Sequence, residues 1–187
     1  MPDGIVSVPE VTGWNYLNLG TDDVFAAEEM ILNGTAPTSL AWPSAGLALY
    51  IPEYIAAPGL VVGAFWQNGT AVAGNVELAL YDEDGNKLAT TGLIAAATVS
   101  VPQFTAFASP VVVTTGRYYL GIVASSASQQ FLAWTTSAAA TNVNRMFGIL
   151  EQAGLGSGLP ASWTPVTSAR SYLPLVSLSF MTAAVTV

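Results

Sequence analysis

The chain has 187 residues, of which 52% are hydrophobic and 9% are charged, whereas charged residues make up about 25% of an average globular protein. Its formal net charge is −8 with only four lysine and arginine residues, which argues against the basic surface that nucleic acids and anionic membranes require. The sequence has no cysteine and no histidine, which excludes disulfides, thiolate chemistry and the commonest general base.

Length and composition also indicate the number of domains and the kinds of contact that this protein makes. The length predicts one domain with a substantial core, and no apolar run reaches the roughly 18 residues of a membrane span. A surface made mainly of neutral residues predicts a protein that buries surface in an assembly, with binding of neutral ligands as the weaker alternative. Residues 1–11 lack the basic and apolar segments of a signal peptide, so secretion through a leader is not expected.

Residues 1–40 are predicted to form an irregular N-terminal arm. The first 20 residues contain several prolines and glycines, and they carry Trp14 and Tyr16 without a clear periodicity. The arm either packs on its own domain or reaches a neighbouring subunit. Residues 21–32 are the helical candidate of the chain because Thr21 or an aspartate could cap the first turn, and an extended strand is the alternative.

The main domain begins with two predicted strands, over residues 46–51 and 60–66. Leu47, Leu49 and Ile51 share one face of the first strand, and Trp66 ends the second. Pro52 either ends the first strand or places it at the edge of a sheet, because proline cannot donate a ladder hydrogen bond.

Residues 75–88 are the stretch around which the rest of the chain is organised. Large apolar residues alternate with Glu77, Ala79 and Tyr81, which is the period of a strand with one buried face. The polar turn over residues 82–86 supplies Gly85 for the positive φ that a hairpin needs. Calcium binding by this turn is the alternative, although the positions of its glycine and acidic residues differ from those of a calcium loop.

Three further strands are predicted over residues 117–124, 131–135 and 172–180, with Trp134 in the second. A loop with two prolines surrounds Trp163. Together the chain has eight to ten candidate strands, at the spacing of about 8–12 residues that is typical of a sandwich. The sequence therefore predicts an all-β domain over residues 41–187.

The long neutral loop over residues 137–158 is a candidate interface. It contains Arg145, Met146 and Phe147, and long loops in compact domains usually serve a function. Arginine, methionine and aromatic residues are enriched in protein interfaces, so these three residues, Trp14 and Tyr16 are the predicted contact residues.

Five segments follow one another in a characteristic order. They are ALYDEDGNKL, FASPVVVTTGRYYLGIVA, FLAWT, LPASWTPV and LPLVSLSF. Their order, and the phrase P-V-x-V-x-x-G-x-Y-Y-L within the second, resemble a jelly-roll domain that recurs in tail, fibre and head-decoration proteins of tailed bacteriophages. The resemblance covers residues 47–180 and implies an antiparallel jelly-roll β-sandwich whose motif residues are structural.

The resemblance also implies a function. The expected protein is a structural component of a virion, assembled in the bacterial cytoplasm, that decorates the capsid or forms a head or tail appendage. Its expected partners are further copies of itself, with a trimer favoured, and the major capsid or tail proteins. No cofactor and no enzymatic activity are expected, since no catalytic carboxylate pair can be picked from Glu53, Glu77 and Glu151.

Binding of a host-surface carbohydrate is the alternative function. Trp66, Trp134 and Trp163 could each stack on a sugar ring, and packing in the core or against a loop is the other interpretation of each. A jelly roll can host a sugar site, but the fold does not determine the function.

Overall fold

The computed structural model describes residues 37–135, 148–156 and 158–182, which form thirteen strands and no helix, and therefore no helix that could cross a membrane. The strands are β1 Thr38–Ala41, β2 Ala48–Ile55, β3 Gly59–Gln67, β4 Asn75–Tyr81, β5 Lys87–Thr90, β6 Ile94–Ala95, β7 Pro102–Val113, β8 Gly116–Ala124, β9 Gln130–Thr135, β10 Leu150–Gln152, β11 Val166–Thr167, β12 Tyr172–Pro174 and β13 Val176–Thr182. The all-β prediction is confirmed for this part of the chain.

The strands form three antiparallel sheets. The large sheet has the order β11-β10-β2-β8-β4-β5, and β6 also pairs with β4. The β1 sheet has the order β1-β9-β12, and the β3 sheet has the order β13-β3-β7. An isolated bridge between Asn68 and Phe131 joins the two small sheets. Strands β12 and β13 follow each other closely, so the end of the chain passes from one small sheet into the other.

The main core lies between the large sheet and the two small sheets, which gives the domain a sandwich-like architecture. Leu49, Leu78 and Leu120 of the large sheet share this cluster with Trp66 and Phe131 of the small sheets. All five side chains are almost completely buried. The alternation of apolar residues along β2, β4 and β8 places every second side chain on this face.

The hairpin at residues 75–88 folds as predicted, but the prediction of one buried face is wrong. Strand β4 is followed by the turn and by β5, and Gly85 adopts a φ of +85°. Glu77, Ala79 and Tyr81 are nevertheless as buried as the residues on the core face. The segment from Leu150 to Trp163 covers the outer side of the strand and forms a second apolar cluster there.

Pro52 takes the second of its two predicted roles. Strand β2 continues through Pro52, which pairs with Tyr119 of β8 on one side. On the other side of β2, strand β10 pairs only with residues 48–50. Pro52 therefore lies where the described strands leave that side of β2 unpaired, so its missing N–H breaks no ladder.

Several predictions lie outside the described residues. These are the helical candidate at 21–32 and the five contact residues Trp14, Tyr16, Arg145, Met146 and Phe147. The first described strand begins at Thr38 and pairs with β9, so the sheet starts before residue 41.

Candidate interaction surfaces

Trp66 belongs to the core and offers no face to a sugar. Its side chain is 1% exposed, and its ring centroid lies 5.9 Å from that of Phe131. The indole Nε1 donates a hydrogen bond of 3.2 Å to Thr105 Oγ1. The role in sugar stacking proposed for this residue is excluded by its burial, because stacking needs an accessible ring face.

Trp163 fastens a loop to the large sheet. Its ring is stacked on Tyr81 at 5.6 Å and makes edge contacts with Tyr50 at 4.8 Å and Tyr119 at 4.6 Å. Its backbone N–H donates to the carbonyl of Gly85 at 3.1 Å. Three aromatic contacts thus engage this ring within the chain, which supports the loop-packing interpretation of this residue.

Tyr50 and Tyr81, which contact Trp163, also bind the covering segment to the large sheet through their hydroxyl groups. Burial raises the pKa of Tyr50 to about 12, so its hydroxyl stays protonated at neutral pH; it lies 3.1 Å from Gln152 Oε1, to which it donates. The Tyr81 hydroxyl donates to the carbonyl of Pro160 at 2.6 Å. Both hydrogen bonds connect the large sheet to the segment that covers it. The two tyrosines therefore have a structural role.

Trp134 has a different position from the other two predicted stacking residues. It lies on β9 opposite Leu173, and it is half-buried. Its neighbours Phe131 and Ala133 are fully buried in the core. Strand alternation therefore places Trp134, like Leu132, on the outer side of the β1 sheet.

Glu77 is a structural carboxylate. Its side chain is 7% exposed and forms an ion pair of 3.4 Å with Lys87. Its Oε1 accepts a hydrogen bond from the Thr90 hydroxyl at 2.6 Å, and its Oε2 accepts one from the Leu159 N–H at 2.7 Å. Lys87 in turn donates to the carbonyl of Leu159 at 2.7 Å. Glu77 and Lys87 therefore bind the backbone N–H and the carbonyl of Leu159, respectively.

In the acidic turn at residues 82–86, the carboxylate of Asp82 is hydrogen-bonded by another residue of the same turn. Asp82 accepts hydrogen bonds from the backbone N–H of Asn86 at 2.8 Å and from its side-chain amide at 2.9 Å. Both carboxylate oxygens are thereby engaged within the turn. No group of three or more potential metal-ligating side chains occurs in the described part of the chain. These hydrogen bonds close the turn between β4 and β5.

The remaining single carboxylates occupy separate environments. Glu151 forms an ion pair of 3.0 Å with Arg170 and accepts a hydrogen bond from the Ser168 hydroxyl. Glu53 is partly buried and lies on the same side of β2 as Ile51 and Ile55, which belong to the main core cluster. Burial raises the pKa of its carboxyl from 4.5 to about 8, so it is mostly protonated at neutral pH.

The outer side of the β3 sheet carries no charge, and it combines large apolar side chains with Ser177 and Ser179 of β13. Strands β3, β7 and β13 contain no charged residue. Leu60 pairs with Val112 and Met181 across the sheet, and Phe65 pairs with Phe104. We call these five residues the β3-sheet face.

Several side chains of the β3-sheet face are open to solvent. Val112 is 76% exposed, Met181 58% and Phe104 48%. The Phe65 and Phe104 ring centroids lie 5.2 Å apart. Large apolar side chains that are grouped on one exposed side of a sheet indicate a contact with another molecule.

None of the exposed residues of this face was predicted as a contact residue. The signal available in the sequence was the uncharged run over residues 102–113, in which large apolar residues fall on both sides of the strand. The sequence shows that run, but not that a single sheet unites it with residues 59–67 and 176–182.

A scan against models of known protein families and a search of curated proteins both returned no match to this chain.

Proposed function

We propose that this chain is a structural subunit of a tailed-bacteriophage virion that acts through contacts between protein subunits. It decorates the capsid or forms a head or tail appendage, as the resemblance in its sequence implies. The observation that carries the proposal is the uncharged β3-sheet face, which exposes large apolar side chains. Such a face suits burial against another protein subunit.

The strand pairing supports the jelly-roll form of the sandwich. Strands β2 and β3 are consecutive, and so are β7 and β8. Strand β2 pairs with β8 in the large sheet, while β3 pairs with β7 in the β3 sheet. One antiparallel ribbon of four strands therefore folds over both layers, which is how a rolled ribbon builds a jelly roll.

The size of the face favours an assembly with repeated contacts. Three strands of seven, nine and twelve residues, about 4.8 Å apart and with a rise of about 3.3 Å per residue, present a projected area of about 400 Å². Covering that area contributes at most about 10 kcal/mol at 25 cal/mol per Å² of apolar surface. Association itself costs about 4–15 kcal/mol, so this face alone gives a weak complex. Many copies held at repeated sites convert such weak contacts into stable attachment.

Sedimentation with particles tests this proposal. A tagged chain is expressed in the host during particle assembly, and the particles are separated on a density gradient. We expect the chain to travel with the particles at a fixed ratio to the major structural protein. Recovery of the chain only at the top of the gradient, with intact particles elsewhere, would refute the virion role.

Glycan binding is the second candidate, and the position of Trp134 is what favours it. This residue lies on the outer side of the β1 sheet, whereas Trp66 is buried and Trp163 is packed against tyrosines. Binding to a glycan array that is lost in Trp134→Ala, with unchanged circular dichroism, would support this function. An array without a signal would exclude it for the glycans tested.

A further inference from the structure

The side chain of Asn68, the residue that directly follows β3, connects distant parts of the chain. Asn68 is fully buried, and its Nδ2 donates to the carbonyls of Ala97 at 2.6 Å and Thr98 at 2.9 Å. Its Oδ1 accepts a hydrogen bond of 2.7 Å from Gln129, which is also fully buried. Both ends of the amide are therefore used, and asparagine is the residue that supplies a donor and an acceptor on so short a side chain.

The loop at residues 97–101 depends on this amide for its shape. Thr98 has a φ of +58° and Ser100 a φ of +57°, and no other non-glycine residue among those described has a positive φ. Backbone strain of this kind persists only where surrounding contacts impose it. Besides the Asn68 amide, the Ser100 N–H donates to the carbonyl of Gly69 at 3.0 Å. Hydrogen bonds to residues 68 and 69 therefore hold the loop in its strained form.

The residue after Asn68 has to be glycine. A Cβ built on Gly69 would lie 2.1 Å from Ser39 Oγ and 2.9 Å from Gln130 Cβ, which is closer than side chains pack. The Ser39 hydroxyl is held in place, because it donates to Gln130 Oε1 at 2.6 Å and accepts from the Thr70 N–H at 2.8 Å. The fold therefore requires the dipeptide Asn-Gly at this position.

An asparagine followed by glycine is chemically labile, because glycine leaves the next main-chain nitrogen unhindered. The Gly69 nitrogen loses its proton and attacks Cγ of Asn68. The bond from Cγ to Nδ2 then breaks, and ammonia leaves with the proton. Water opens the resulting succinimide ring on either side, which gives aspartate or isoaspartate.

We propose that Asn68 is a deamidation site that folding closes, and that its modification in the unfolded chain prevents the native structure from forming again. In the folded protein the Gly69 N–H donates to the carbonyl of Gln130 at 2.8 Å, and the Asn68 amide is bonded at both ends. Attack on Cγ requires these bonds to open, so its rate falls with the population of the open form. This inference does not depend on the proposed virion role.

Neither product can replace asparagine in the folded protein. An aspartate carboxylate has no N–H to donate, and it would face the carbonyl oxygens of Ala97 and Thr98 in a fully buried position. Isoaspartate lengthens the main chain between residues 68 and 69, which disrupts the bridge between Asn68 and Phe131. The loop then loses the contacts that impose its strain. The operational stability of the protein therefore depends on the time that the chain spends unfolded.

The rate of deamidation tests the protection. Peptide mapping by mass spectrometry follows Asn68 in native buffer and in urea at the same mildly alkaline pH. We expect the rate to be at least about 100-fold lower in the native protein, which corresponds to an opening free energy of about 2.7 kcal/mol. Residues 33–35 repeat the tripeptide Asn-Gly-Thr of residues 68–70, so Asn33 should react at a similar rate in urea and serves as the reference. A native rate within about tenfold of the rate in urea would overturn the inference.

Delayed refolding tests the consequence of the modification. The wild-type chain is held in urea for increasing times and diluted, and size-exclusion chromatography separates the folded chains from the rest. We expect chains modified at Asn68 to be depleted from the folded fraction at least about 10-fold relative to the remainder. Equal proportions of modified Asn68 in the two fractions would overturn the inference.

Two substitutions make the same chemical change at a buried and at an exposed asparagine. Asn68→Asp introduces the product directly, and Asn75→Asp is the matched control because Asn75 is exposed at the start of β4. We expect Asn68→Asp to raise the unfolding equilibrium constant at least about 100-fold, and the control to stay within about threefold of the wild type. Equal stability of the two variants would contradict the inference. If Asn68→Asp does not fold at all, the delayed refolding of the wild-type chain still decides the question.

Discussion

Substitution of Gly85 by alanine addresses the link between the acidic turn and the segment that covers the large sheet. Gly85 has a φ of +85°, and a Cβ built on it would lie 1.5 Å from Trp163 Nε1 and 1.8 Å from its Cδ1. The indole must therefore move. Trp163 contacts Tyr50, Tyr81 and Tyr119, and moving it disturbs all three contacts.

The expected loss of stability has two parts. The left-handed backbone costs an alanine about 1 kcal/mol relative to glycine. Each aromatic contact contributes about 0.5–1.5 kcal/mol beyond its buried area, and partial relaxation retains some of it. We expect Gly85→Ala to lower the free energy of unfolding by about 2–4 kcal/mol.

Gly92→Ala is the matched control for this prediction. Gly92 also has a positive φ, +64°, but a Cβ there would meet nothing within 4 Å. We expect this variant to lose only the backbone part, about 1 kcal/mol. Urea unfolding followed by tryptophan fluorescence and by circular dichroism measures both variants. Equal losses in the two variants would refute the reasoning that Trp163 is fixed by close packing on the turn.

Four other substitutions test the carboxylates and the buried amide. The folded state raises the Glu53 pKa from 4.5 to about 8, so the carboxyl contributes most stability below pH 4.5, and this contribution is lost as the pH rises through 8. Glu53→Gln should flatten that part of the stability profile and make the protein more stable than the wild type at pH 9 in urea unfolding; parallel profiles would contradict this. Glu77→Gln should lower the free energy of unfolding by about 1–3 kcal/mol. Glu151 is more exposed, so Glu151→Gln should lower it by less than about 1 kcal/mol. Equal losses in the two variants would contradict this expectation. Asn68→Ala should accelerate hydrogen exchange of the Ser100 amide, and unchanged protection would show that the loop is held by other contacts.

The candidate surface shows where prediction from sequence ends. Local patterns predict β3, but they also predict a single strand over residues 172–180, which the structure divides between β12 and β13 of two different sheets. Along residues 102–113, Pro102 and Pro110 favour separate short segments. The structure joins them into one strand with a register shift opposite Val62. Only this pairing places Phe104 and Val112 on one face. The Asn68 amide that fixes loop 97–101 acts over 29 and 30 positions, a distance that no local pattern encodes.

The sequence by itself determined the all-β class, the hairpin with its glycine turn and the core face of each main strand. These features depend on alternation and turn chemistry within a few adjacent residues, which the backbone obeys locally. Tertiary structure decided what covers the other faces. Glu77 meets the backbone of Leu159 across 82 positions, so an alternating strand became buried on both sides. The β3-sheet face has no such covering segment among the described residues, and it stayed exposed because burial is settled by contacts between distant parts of the chain.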